Sequence, residues 1–135
     1  MSVKVEWLER SLIVGPYLVL CLTPKQFVQA MKDMKLTERP EDWLRNDHCG
    51  ATVHLRTRGD QLACIVCLRP PGRGASIEQI AGLLAHEATH IWQYFRRRIG
   101  EDAPSDEFEA YSVQAITQRL FESYRTQTRR ARRRK

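Results

Sequence analysis

The sequence has no apolar run long enough to span a membrane. Leu12 to Leu22, the stretch that invites the test, is broken by Gly15-Pro16 and falls short of the ~20 residues a spanning helix needs. Glu6 and Glu9 near the start argue against a secretory leader, so a cytoplasmic protein without membrane contact is expected. Cysteine is sparse. In a chain without an export signal, Cys21, Cys49, Cys64 and Cys67 are expected to be reduced thiols, which excludes a secreted disulfide scaffold. Wholesale disorder is excluded too, because 42% hydrophobic and 28% charged residues are the proportions of a globular protein. At 135 residues the length suits one domain with a modest core. The body of the chain also lacks a charge excess. Of the net charge of +6, the last eleven residues supply seven positive charges (Arg125, Arg129, Arg130, Arg132, Arg133, Arg134, Lys135), which leaves the remainder at −1.

What is present reads in order as follows. Leu12 to Leu22 predicts a buried strand. Thr23, Pro24 and Gln26 then form a helix start with a capping box, and Phe27, Met31 and Met34 give that helix an apolar edge as far as Leu36. Arg39 to Cys49 is polar and reads as a connection with a short helical turn at Glu41 to Asn46. Ala51 to Thr57 and Gln61 to Leu68 alternate as β-strands do, and Arg58-Gly59-Asp60 between them supplies the glycine of a tight hairpin turn. Pro70-Pro71-Gly72-Arg73-Gly74 ends the second strand and predicts a flexible lead into the next element.

Cys64 and Cys67, with His48, Cys49 and His54 upstream, invite a zinc-ribbon reading. Strand geometry opposes it, because residues three apart on a strand point to opposite faces and no glycine marks a knuckle. Small buried thiols are the expected role.

Ser76 to Arg98 predicts one long helix. Ser76 and Gln79 make a capping box at its start. Ile80, Leu84, Ala88, Ile91 and Phe95 recur at helical spacing, flanked by Ile77 and Trp92. Arg96, Arg97 and Arg98 complement the dipole at its end, with Gly100 just beyond. Away from the apolar stripe stands His86-Glu87-Ala88-Thr89-His90, the H-E-x-x-H pattern. Two His four apart lie one above the other and can place two imidazole nitrogens on one zinc ion, while Glu87 is positioned to take a proton from an attacking water.

After a short acidic loop, Ser105 caps a second helix with Asp106, Glu107 and Glu109 in its first turn and Val113, Ile116, Leu120 and Tyr124 as its stripe. The short connection should fold this helix back on the first, bringing one of those acids to the histidines as the third protein ligand that zinc prefers. Residues 125–135 cannot bury a core. They are expected to be disordered, or helical only by extension, and to serve either as a solvated end or as a non-specific nucleic-acid contact.

With both helices placed, the chain resembles the zincin metallopeptidases, and among them the gluzincin-like group in which H-E-x-x-H is followed by a helix bearing a Glu ligand. His86, Glu87, His90 and the run Glu107-Phe108-Glu109-Ala110-Tyr111 carry the resemblance. The order strand, helix, hairpin, metal helix with Trp92-Gln93, then Glu-x-Glu-Ala-Tyr is similar to compact metallopeptidase-like proteins of phages and bacteria over most of residues 12 to 124. Neither Gln93 nor Arg96 offers the third His that marks the metzincin branch.

The resemblance implies an α+β fold. It would be a minimal zincin-like domain over residues 1–124, with a small, largely antiparallel sheet, the HExxH helix and a following Glu-bearing helix, ahead of the basic tail at 125–135. It implies Zn2+ held by His86, His90 and Glu107, with Glu87 acting as general base and then as acid towards a peptide or protein substrate. In related peptidases an Asp four residues after the ligand Glu steadies a ligand His. That register selects Glu107 here and puts Tyr111 at the Asp position, where a hydroxyl can donate to a developing oxyanion but supplies no carboxylate. The strand Gln61 to Leu68 is expected to offer its edge to an extended peptide. Two rival readings are a nucleic-acid-associated module with structural zinc and a catalytically degenerate, regulatory zincin.

Overall fold

The longest uninterrupted aliphatic stretches of the chain become its two central strands. In the computed structural model, which describes residues 2–8, 15–36, 40–44, 50–59, 61–69 and 76–135, these strands are β2 (Tyr17–Cys21) and β4 (Gln61–Leu68). Around them lie β1 (Trp7–Leu8), α1 (Pro24–Asp33), a 3-10 turn at Pro40–Trp43 and β3 (Ala51–Arg58), followed by α2 (Ile77–Arg98) and α3 (Asp106–Arg133). The architecture is α+β. Among the described residues it comprises one mixed four-stranded sheet and three α-helices. The chain divides into two compact units, Met1–Ser76 and Ile77–Lys135.

In the first unit the sheet order is β1-β2-β4-β3. β3 and β4 form the expected antiparallel hairpin, with Arg58 opposite Gln61 and Gly59 at φ +61° in the turn. Arg58 therefore belongs to the strand rather than to the turn. β2 lies parallel to β4, pairing Val19 with Ile65 and Cys21 with Cys67, and β1 closes the far side antiparallel to β2. Two of the three pairings are antiparallel. β4 is thus an interior strand, and the edge it was expected to offer a peptide is taken by β2. Its composition explains this: Leu62 to Leu68 are all buried, and a strand covered on both faces reads as a continuous apolar run.

α1 covers one face of this sheet. Phe27, Ala30 and Met31 pack with Val19, Cys21, Ile65 and Cys67, the alternate residues of β2 and β4. Thr23 caps α1, its Oγ1 accepting from the Gln26 amide at 3.2 Å. The Gln26 side chain reaches back one residue further than a capping box requires and accepts from the Leu22 amide at 2.7 Å. The Leu12 to Leu22 expectation contracts to Tyr17–Cys21, its residues 12–14 lying outside the described residues. The helical turn expected at Glu41 to Asn46 is found at Pro40–Trp43.

Cys21, Cys64 and Cys67 are free and buried. Cys64 faces away from the α1 side, as the strand alternation requires, and burial pushes its thiol pKa up to about 12. His54 is buried beneath Phe27, with ring centroids 4.7 Å apart, and its Nε2 lies 3.0 Å from the Trp43 carbonyl oxygen. A carbonyl only accepts, so that nitrogen carries the proton and its lone pair is not offered to a metal. Cys49, His48 and the Pro70 to Gly74 lead lie outside the described residues.

Candidate metal centre

The second unit is an α-hairpin. α2 ends in a Schellman turn: the Glu101 amide donates to the Arg96 carbonyl at 2.8 Å and the Gly100 amide to the Arg97 carbonyl at 3.2 Å, with Gly100 at φ +79°. The side chain of Arg96 donates to the carbonyls of Glu101 and Asp102, which ties the connecting loop to the helix it has just left. Ser105 then caps α3, its Oγ accepting from the Phe108 amide at 3.2 Å.

On α2, Ile80, Leu84, Ala88, Ile91 and Trp92 are buried as their spacing predicts, whereas Ile77 is exposed. His86 and His90 are exposed on another side of the helix. Their Nε2 atoms stand 3.0 Å apart, with ring centroids at 4.7 Å and planes crossed at 82°. At that distance one Nε2 donates a proton to the lone pair of the other. Two nitrogens each about 2.1 Å from one tetrahedral zinc would lie about 3.4 Å apart. The two imidazoles therefore converge on a common point at nearly chelating separation, and they fit a zinc ion once the shared proton leaves. Glu87 is the one buried carboxylate of the helix, 6% exposed. Burial raises its pKa above the ordinary carboxylate value, against the opposing pull of His86 and His90. Glu87 thus stands one residue after His86 and three before His90, with its carboxyl buried.

Compared with models of protein families, with curated proteins and with solved structures, the chain matches none.

The first turn of α3 does approach α2, but not at the histidines. Glu109 Oε2 accepts from the Trp92 indole N–H at 2.9 Å, and Phe108 meets the same indole edge-on, centroids 5.1 Å apart at 86°. Trp92 stands two residues after His90, about 200° round the helix. The aromatic contact therefore settles which side of α2 receives α3, and that side is not the one carrying the imidazoles. Glu107 is exposed, and so is Tyr111 at 64%. Among the described residues no three His, Cys, Asp or Glu side chains are grouped to hold a metal ion. In this arrangement the acid of the first turn that reaches α2 is Glu109, which accepts from an indole.

The Trp92–Glu109 pair is the feature that sequence reasoning missed. Its signal was available, since a Trp on the margin of an apolar stripe is buried by its ring while its N–H still demands an acceptor. Glu109 lies in line with Val113 and Ile116 and is the first-turn acid that meets Trp92.

Proposed function

We propose that the protein is a zinc-dependent metallopeptidase. The observation that carries the reading is the convergence of the His86 and His90 Nε2 atoms, 3.0 Å apart on an exposed helix face, next to the buried carboxyl of Glu87. His86 and His90 would hold the metal, and Glu107 is the third ligand that the resemblance implies. Glu109 Oε2 accepts from the Trp92 indole N–H, which supports Glu107 over Glu109 for that role. A zinc ion there would supply Lewis-acid polarisation of the scissile carbonyl and a water acidic enough to attack near neutral pH.

The chain's own residues do the rest. Glu87 takes one proton from the attacking water as its oxygen bonds to the carbonyl carbon. It then delivers that proton to the departing amine nitrogen as the C–N bond breaks. A carboxyl whose burial raises its pKa suits this exchange, because it is a poorer acid and a better proton acceptor than an exposed one. Tyr111, exposed on α3, is the proposed donor to the developing oxyanion. The substrate class is a peptide or protein, and β4 does not serve as its docking edge. Among the described residues no helix is long and apolar enough to cross a membrane.

The test is metal analysis of the purified protein together with hydrolysis of an unstructured protein such as casein. Stoichiometric zinc and hydrolysis that disappears in Glu87→Gln are expected. Zinc without hydrolysis would favour a degenerate, regulatory zincin, and absence of zinc affinity would end the proposal.

A further inference from the structure

The basic segment continues α3 as regular helix to Arg133. Of the two expectations for residues 125–135, extension of the helix is therefore the one found. Extension is cheap: each residue added to an existing helix gains a hydrogen bond, arginine is a good helix former, and Arg130, Arg132 and Arg133 sit at the negative end of the dipole. At 100° per residue, Arg125, Arg129, Arg132 and Arg133 fall within an arc of about 100°, opposite the buried Leu120. All four are exposed, while Ser123 is buried and Tyr124 and Gln127 on the inner side are partly buried. Glu122 is the nearest acid to this stripe, and no acid follows it.

We infer that this arginine stripe is a binding surface for the phosphate backbone of double-stranded DNA, a function beyond peptide hydrolysis and independent of it. The stripe runs about 12 Å along the helix axis, a length over which duplex DNA presents roughly seven phosphate charges. Four guanidinium groups on one helix face meet that charge density with the backbone that carries them already helical. Each can bind a phosphate through two N–H donors. The same residues argue against other polyanions. An anionic membrane holds an amphipathic helix through large apolar residues, and Ala131 is the only apolar residue between 125 and 135. Single strands are held by stacking bases on aromatic rings, and the segment has none.

The experiment titrates the full chain against a short labelled DNA duplex of arbitrary sequence, the matching single strand, and vesicles containing phosphatidylserine. Sequence-independent binding to the duplex is expected, with Kd of about 10⁻⁶ to 10⁻⁴ M at physiological salt. Four phosphate contacts predict a slope of log affinity against log salt of about −3.6, so that doubling the salt weakens binding about twelvefold. The variant Arg125→Gln, Arg129→Gln, Arg132→Gln, Arg133→Gln keeps good helix formers and should lose most of that slope and at least about tenfold in affinity. Lysine at the same four positions should retain the slope. Circular dichroism checks that both variants remain helical, and zinc content should be unchanged in each. Equal binding by the glutamine variant would overturn the inference, as would single-strand affinity equal to that of the duplex, or capture by vesicles in place of DNA. Hydrolysis is read in none of these arms, so failure of the peptidase reading leaves this result standing.

Discussion

Removing the Glu109 carboxylate should separate what holds α3 in place from what binds metal. Trp92 is 2% exposed and its indole N–H has Glu109 Oε2 as acceptor at 2.9 Å. Glu109→Ala leaves that donor buried without its partner, which typically costs about 1–3 kcal/mol. The acceptor itself is on an exposed residue, where water competes for it, so the lower half of that range, about 1–2 kcal/mol, is the expected loss. Glu109→Gln keeps a carbonyl acceptor in place and should cost less than about 1 kcal/mol. Glu107→Ala, at an exposed position, should stay within about 0.5 kcal/mol in metal-free protein. Urea unfolding of chelator-treated protein, followed by Trp fluorescence, measures all three. Zinc titration of the same variants gives the complementary readout, with affinity lost in Glu107→Ala and retained in Glu109→Ala. The reasoning is refuted if Glu109→Ala unfolds at the wild-type urea concentration. The ligand assignment reverses if zinc is lost from Glu109→Ala and kept by Glu107→Ala.

Glu87→Gln should bind zinc like the wild type yet hydrolyse casein about 10² to 10⁴ times more slowly, since it removes a proton carrier and no ligand. His86→Ala should lose the metal, and with it the stability that a ligand of the folded state confers, measurable as a melting temperature that no longer responds to added zinc. Gly100→Ala should cost about 1–2 kcal/mol by denaturant titration, because the residue sits at φ +79° and an added Cβ meets nothing within 4 Å, so backbone strain is the whole effect. Cys64, with a folded pKa of about 12 against 9.0 for the free group, stabilises the fold fully below pH 9. That contribution is lost as pH rises from 9 to 12, about 4 kcal/mol in all. Unfolding titrations across this range should therefore show a flatter decline for Cys64→Ala than for the wild type.

Much of this protein is legible in its residues because the deciding forces are local. The caps at Thr23 and Ser105, the turn at Gly59, the helix stop at Gly100 and the four-residue spacing of His86 and His90 involve neighbours within one or two turns of chain. Side-chain chemistry and backbone geometry specify them without reference to distant contacts. The same holds for the opposed faces of Cys64 and Cys67, which follow from the two-residue period of a strand.

Tertiary structure decided what depended on partners far away in the chain. Whether β4 has a free edge turns on β2, more than forty residues earlier, lying parallel beside it, and local pattern does not encode pairing across that separation. Which side of α2 receives α3 turns on Trp92 finding Glu109 and Phe108, so three acids equivalent by proximity in sequence became inequivalent in space. The basic segment is settled by continuity. Charge alone argued for disorder, but a helix already nucleated and packed through Leu120 and Ser123 carries the arginines onward, and its rotation aligns four of them on one face.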